Sequence, residues 1–566
     1  MGINNEDTAL PFERSHDMST AHLTSERTTS PEQPAGPTFL STLWWISITA
    51  TTLAALLLKL LLAVKTYGTN DVYRYEAFMA ASRYLGVLIY RALPDFNHPP
   101  SMIHFLGIIG RLSRMSGLPF PFWLRLPGIL ADAGSVLVVW KILGPRVQEL
   151  SIRWSLPLFA AAPPLIVISG FHGNTDSVMI FFLLLSVYWN EKGNHIWLAG
   201  AMFGLSMCFK ITPVIVAPAM FFYLRVMKQR VLFFGAAGGT LLVAWSPYLF
   251  QDPIFILRQI FGYRSLYGHW GLSYFSSRLA NRFPALGWVN DAFQFAGSYA
   301  LLGGIAIFSW WMNRRKPRPR LYSQVGIVFL LFLSLTNGFG VQYLAWLVPW
   351  VVGLGALPAA IYFAASGVFL FLVYNYWSQG IPWYMADSYR LPDYQGHLDY
   401  YQIACWVSIL VALTVALKQM RASYFLPDAS HKRFQNRTFH VCTLLAALVL
   451  LIYPAQRQAR RDNRNIPWAT RQSLALIVRS VQFTDLSNRL YRMGRDRDAV
   501  DAAQQASDLH PDSADAYLNL AASCAAVGKW DEAIQYSEEA VRLRPDWPLA
   551  KSNLDWTIQE KKKASK

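Results

Sequence analysis

Long apolar blocks recur along this chain from Phe39 to residue 454, and they decide what it can fold into. Of 566 residues, 53% are hydrophobic and only 15% charged. Soluble chains carry about a quarter charged residues. The pattern is that of a polytopic membrane protein. Its spans are expected to be helical, because a backbone in hydrocarbon must satisfy its own hydrogen bonds. The first span is expected at about Phe39–Val64, with Lys59 in its last third. Others are expected near 120–142, 154–170, 176–190, 195–209, 211–226, 231–250, 296–312, 322–337, 341–355, 357–377, 400–418 and 437–454. The expected fold class is all-α, with about 13 transmembrane helices. Several blocks fall short of the ~20 residues that a crossing needs, and these read as tilted pairs or half-helices buried in protein.

Charge divides the loops into two sets. RVMKQR (225–230), NRRKPRPR (313–320) and the 418–437 loop with Lys418, Arg421, Lys432, Arg433 and Arg437 are basic. With the N-terminus inside, all three fall on the cytoplasmic side. The loops at 65–119, 171–175, 251–295, 338–340 and 378–399 then face outward, and they hold the unusual polar and aromatic sequences. The odd span count puts the C-terminal region outside as well, against the basic run QRQARRDNRN (456–465). The net charge of +17 fits basic loops against anionic lipid better than it fits nucleic acid. Residues 1–37 are polar, aperiodic and expected to be disordered, and they lack the basic start and apolar core of a signal peptide. Cys208, Cys405, Cys442 and Cys524 are scattered, so buried thiols are expected and no disulfide framework.

The C-terminal end repeats with a 34-residue period: Gly494 with Gly528, Ala499 with Ala533, Ala506 with Ala540, Leu509 with Leu543, and Pro511 with Pro545. This is the tetratricopeptide (TPR) pattern, an α-solenoid of paired helices. The organisation read from the sequence is a 1–37 tail, a 38–455 membrane domain, a 456–479 linker and 480–566 repeats with a cap helix. The repeats read either as a groove for a protein partner or as a stabilising appendage.

Candidate chemistry lies in the outward loops. The stretch 69–100 carries Asp71, Arg74, Glu76, Asp95, Asn97 and His98 among tyrosines. Ionisable groups at a membrane boundary are costly and often functional; a merely solvated loop is the alternative. HGNTDSVMIFFLLL (172–185) opens a span with His172 and Asp176, where an acid also serves as a helix cap. Lys210 interrupts an apolar block, either to meet an anion or as a snorkelling lysine. FGYRSLYGHWGLSYF (261–275) interleaves rings with Arg264 and His269, suiting a sugar platform, a lipid groove or an interfacial belt. GFGVQYLAWLVPW (338–350) offers Gln342 and Tyr343. Asp132, inside a span, needs a partner, for which Arg125 and Lys141 are the candidates. Zinc-type spacing, a P-loop and a dinucleotide fingerprint are all lacking, so no cofactor or metal is indicated.

Taken in order, NDVYRYE (70–76), FNHPPSM (96–102), HGNTD (172–176), MCFKITP (207–213) and VQYLAW (341–346) resemble the polyprenyl-phosphate-sugar-dependent glycosyltransferases of the GT-C superfamily. The likeness is closest to the dolichyl-phosphate-glucose glucosyltransferases, with the QYLAW segment resembling GPI-anchor and bacterial mannosyltransferases. It covers roughly residues 39–377. The resemblance implies an inverting sugar transfer from a polyprenyl-phosphate donor to a glycan, lipid or protein acceptor. It implies Asp71 as catalytic base, with Glu76 second. Lys210, Arg74, His98 and Arg264 are then candidates for the donor phosphate. Asn97, His172, Asp176, His269, Gln342 and Tyr343 complete the candidate substrate-binding set. The expected location is a bacterial inner membrane, with the site facing the periplasm. A transporter or lipid flippase is the rival reading; the inverted repeats common in such proteins are not evident here.

Overall fold

The computed structural model describes residues 39–263, 265–388, 398–425 and 467–565, with 456, 457 and 460. The chain divides into Met1–Trp45 and Ile46–Lys566. Of the first unit only the opening of the helix Phe39–Lys65 is described. The expected tail 1–37, the expected span 437–454, Cys442, Lys432, Arg433, Arg437 and Arg264 lie outside the described residues. The second unit holds the remaining described helices.

Among the described residues seven helices are long and apolar enough to cross a membrane, Phe120–Leu143, Leu150–His172 and Ala356–Trp377 among them. Five shorter apolar helices accompany them: Ile196–Phe209, Thr212–Tyr223, Pro253–Gly262, Leu321–Leu335 and Val341–Leu354. Fourteen residues of helix reach about 21 Å, against about 30 Å of hydrocarbon. Short helices among the long ones are as expected for the short apolar blocks, and an apolar run reads alike whether lipid or protein covers it. Leu321–Leu335 and Leu344–Val351 are largely buried in protein. By contrast, Met227–Leu249 and Gly287–Arg314 turn Val231, Val243, Phe295 and Ile307 outward. The 65–119 loop holds two helices that hydropathy does not reveal, Asn70–Leu85 and Ser101–Ser116.

The basic loop 313–320 lies against the segment before the basic run 225–230. Arg318 donates to the Tyr223 carbonyl at 2.7 Å, and Arg320 pairs with Glu191. Arg314 and Arg315 lie over Trp310 and Trp311. The helix Asp176–Lys192 runs from these contacts toward the polar loops, a span of about 25 Å.

Inside, Lys59 of the first span and Asp132 of Phe120–Leu143 form an ion pair at 2.6 Å, both nearly inaccessible to water. The sequence offers Arg125 and Lys141 as partners of Asp132, and the structure corrects this. Arg125 is instead spent on backbone carbonyls. It donates to Leu62 and Thr66 (both 3.2 Å), Gly170 (3.3 Å) and Tyr67, and to the Thr66 hydroxyl (3.1 Å). One guanidinium thus gathers the end of the first span and the turn before His172. Two-residue strands complete the frame. Gly68–Thr69 pairs in parallel with Met385–Ala386, and Leu266–Tyr267 antiparallel with Gly338–Phe339.

The C-terminal helices Trp468–Arg492, Asp496–Leu509, Ala514–Ala526, Trp530–Leu543 and Pro548–Ala564 pack consecutively. The first runs unbroken through residue 480. Gly494 and Gly528 take φ of 70° and 78°, the left-handed region that glycine enters freely, and each ends a helical turn 34 residues from the other. Small residues (Ala499, Ala503, Ala506, Ala533, Ala540) are buried where the helices meet. The helix Trp468–Arg492 rests on Asn70–Leu85, with Phe483, Leu486 and Leu490 in the same apolar core as Val72, Tyr75 and Phe78. The C-terminal helices therefore share a side with the 65–119 loop.

Replacing one member of the Lys59–Asp132 pair strands a buried charge. Lys59→Met or Asp132→Leu alone is expected to cost about 3–5 kcal/mol, and the double replacement much less. Thermal unfolding of the three variants in detergent checks this; equal losses in singles and double would contradict it.

Candidate active site

Five segments converge at the polar end. Thr69 begins the helix Asn70–Leu85, accepting a hydrogen bond from the Asp71 amide at 3.3 Å. The Thr69 hydroxyl also donates to the His172 carbonyl at 2.8 Å, which brings Asp71 beside His172. Two glycines allow this approach. Gly68 has φ +112°, and a Cβ there would lie 2.3 Å from Arg125 Nη2. Gly173 has φ +82°, and a Cβ would lie 2.4 Å from Val72 Cγ2. His172 itself ends a π-helical turn, Ile168–His172, a local irregularity frequent at functional sites.

Asp71 Oδ2 lies 2.9 Å from His172 Nε2 and accepts from Asn174 Nδ2 at 2.8 Å. Behind them, the Tyr374 hydroxyl meets His172 Nδ1 at 2.5 Å, and the Tyr75 hydroxyl donates to Asn174 Oδ1 at 3.2 Å. The carboxylate is thus fixed on one edge, while a quarter of its side chain stays open. Burial alone would raise the Asp71 carboxyl. The hydrogen bond and charge of His172, with Lys210 and Arg74, outweigh it and hold the group well below the usual carboxylate range.

Lys210 ends the helix Ile196–Phe209 and reaches both oxygens of Asp176 at 2.8 Å. Trp346 Nε1 donates to the same carboxylate at 2.6 Å. Asp176 is fully buried, so it is the counter-charge of Lys210 besides opening its own helix. An ammonium has three protons, and Asp176 takes two. Arg74 reaches Asp95 at 3.1 Å across a partly exposed contact. His98 sits among Tyr75, Phe78 and Phe96 with ring centroids 5.1–6.0 Å away. Burial and then the Lys210 charge push it down to about 3, against the opposing pull of Asp71. Asn97 lies in the same loop, its amide donating to the Asp95 carbonyl at 3.0 Å.

Other candidates stand further off or in other roles. Glu76, five residues after Asp71, points elsewhere on the helix: Arg479 holds it at 2.6 and 2.9 Å, and Tyr67 donates at 2.6 Å. Tyr343 stacks on Trp346 at 4.1 Å, and Gln342 folds over Gly340. In the aromatic loop, Trp270 is fully buried against Phe339 at 4.0 Å and donates to the Leu333 carbonyl, so it is no sugar platform. His269 lies beside it in the turn before the helix Gly271–Arg282. Sequence reasoning missed Asn174, Tyr374, Trp346 and Tyr75 as partners. Asn174 and Trp346 lay within quoted motifs; Tyr374 had only its place among Tyr, Asn and Trp at the end of a span. Among the described residues no cluster of His, Cys, Asp and Glu has the makings of a metal site.

Known proteins share parts of this framework. Residues 97–249 match the family model described as dolichyl-phosphate-mannose-protein mannosyltransferase. The likeness to that family lies within the membrane region. GPI mannosyltransferase 1 of Candida albicans is 27% identical over 121 residues. That match takes in 21% of this chain and 30% of the relative, so the chain spans under a third of the curated protein it matches. The family match contains His98, His172, Asn174, Asp176 and Lys210, and begins after Asp71. Both likenesses are to mannosyltransferases, where the sequence motifs leaned toward glucosyltransferases.

The shifts bear on pH. The Asp71 value in the folded state lies below its unfolded value of ~3.9, so its pairing adds stability above that value, lost as pH falls through the depressed one. His98 remains neutral well below pH 5. Between pH 5 and 8 neither changes charge. His98→Asn is therefore expected to leave the midpoint of any acid limb in kcat/KM in place, and a displaced midpoint would contradict this assignment.

Proposed function

We propose that this chain is an integral-membrane, inverting glycosyltransferase. In this reading it moves a sugar, mannose foremost, from a polyprenyl-phosphate donor to a hydroxyl of a glycan, lipid or protein. The observation that carries the reading is a difference in exposure among four paired carboxylates. The side chains of Asp132, Asp176 and Glu76 are 6%, 0% and 12% exposed and each is closed by a cation. Asp71 is 25% exposed, held by His172 and Asn174, with Lys210 and Arg74 near enough for their charges to act on it.

The chemistry follows from that arrangement. The acceptor hydroxyl oxygen attacks the anomeric carbon, and the bond from that carbon to the phosphate oxygen breaks. Its electron pair leaves with the polyprenyl phosphate, already a good leaving group. Lys210 and Arg74 meet the phosphate charge, whose attraction is strengthened where water is scarce. The proton goes to Asp71. A carboxylate held this low is a weak base toward a free alcohol. It accepts the proton late, once the new bond has made the oxygen acidic. One base on the face opposite the leaving group gives inversion. With the basic loops taken as cytoplasmic, this reading puts the reaction at the outer membrane face.

Proteoliposomes given polyprenyl-phosphate mannose and extracted lipid acceptors test this. Asp71→Asn keeps size and polarity and is expected to lose about 10²–10⁴-fold in kcat with donor binding retained. Lys210→Met is expected to raise the donor KM at least several-fold. Wild-type transfer undiminished in Asp71→Asn would refute the assignment of the base.

A further inference from the structure

We infer that the C-terminal helical domain is a brace of the active site and that Arg479 is its positioning residue. The inference rests on the transferase reading above and extends it to a part of the chain that the family likeness does not cover.

Two arginines on the helix Trp468–Arg492 reach the two elements that hold the catalytic carboxylate. Arg479 makes a two-pronged contact with Glu76, Nε at 2.9 Å and Nη2 at 2.6 Å. Glu76 lies on the helix that Asp71 opens. A planar guanidinium gripping a carboxylate through two parallel bonds fixes direction as well as distance. Tyr67, just before that helix, donates to the same carboxylate, and the Arg479 guanidinium lies over its ring at 5.0 Å. Roughly two turns earlier, Arg471 donates to the carbonyls of Ser378, Gln379 and Gly380. These come directly after the helix Ala356–Trp377, which supplies Tyr374 to His172. The chain of bonds Tyr374, His172, Asp71 therefore has both its ends clamped by one helix of the C-terminal domain.

The contact extends beyond the two arginines. Arg489 donates to the Ala92 carbonyl at 3.2 Å, and the Tyr84 hydroxyl meets Asp501 at 3.3 Å. Phe483, Leu486 and Leu490 share the apolar core under the Asp71 helix. An independent appendage would need none of these. Because sub-ångström placement of a base matters to rate, a brace on this helix acts on turnover more than on donor affinity.

The test uses the full chain in nanodiscs. Hydrogen–deuterium exchange of residues 70–85 is followed beside kcat and donor KM. Arg479→Ala is expected to speed exchange there by about tenfold or more and lower kcat about 10–100-fold, with donor KM within about threefold. The charge-swapped pair Glu76→Arg with Arg479→Glu is expected to regain most of the protection and at least about tenfold in kcat. Arg479→Lys keeps the charge without the fork, and serves if Arg479→Ala does not fold; it is expected to lose about three- to tenfold in kcat. Unchanged kcat per folded molecule with only a lower melting temperature would overturn the inference. So would unchanged exchange at 70–85, or a swap no better than either single variant. Should the wild type transfer no sugar, the reaction class falls and exchange alone decides: protection lost in Arg479→Ala and regained in the swap upholds the brace, and unchanged protection overturns it.

Discussion

A carboxylate withdrawn from water must be given a partner, and much of this structure is arranged to supply four of them. Asp132 draws the first span against Phe120–Leu143 through Lys59. Asp176 draws together three elements, because Lys210 and Trp346 both come to it. Glu76 draws the C-terminal domain onto the 65–119 loop through Arg479. Asp71 is the exception that makes the others meaningful. Its neighbours are an imidazole and an amide rather than a fixed cation, and it alone of the four keeps a substantial open face. The closed pairs hold the frame, and the open one is available to a substrate.

Around that frame the backbone makes a second contribution. Arg125 collects carbonyls from residues 62–67 and 170, at the end of one helix and in an irregular turn of another. Gly68 and Gly173 remove the side chains that would keep those segments apart. The result is that His172, at the end of an irregular turn, and Asp71, at the start of a helix, meet across 101 residues of sequence. The polar end of the bundle is therefore built by covalently distant pieces, each held by a specific donor.

How much of this could be read from the sequence depends on the range of each interaction. Apolar blocks are local, and the spans near 120–142, 154–170, 357–377 and 400–418 correspond to long helices. The polar motifs are local too, and Asp71, His98, His172, Asp176 and Lys210 do come together. Pairings are not local. Lys59 and Asp132 lie 73 residues apart, His172 and Tyr374 202, and Glu76 and Arg479 403. Nothing in the neighbourhood of Glu76 distinguishes a base from the anchor of a distant domain. Trp270 likewise sits in a loop whose composition suits a sugar platform, and only its burial against Phe339 shows otherwise. The helix Asn70–Leu85 escaped hydropathy because its buried face is rich in Tyr and Ala, and Ser101–Ser116 because its apolar face of Met102, Ile103, Leu106 and Ile109 alternates with His104, Arg111 and Arg114.

In the proposed reaction a single carboxylate accepts the acceptor's proton opposite a departing lipid phosphate. The anomeric configuration of the product, read by NMR against that of the polyprenyl-phosphate donor, tests this most directly. Inversion in every turnover is the result that one open carboxylate predicts. Retention would require a second nucleophile on the sugar's other face and would contradict the assignment of Asp71 as a lone base.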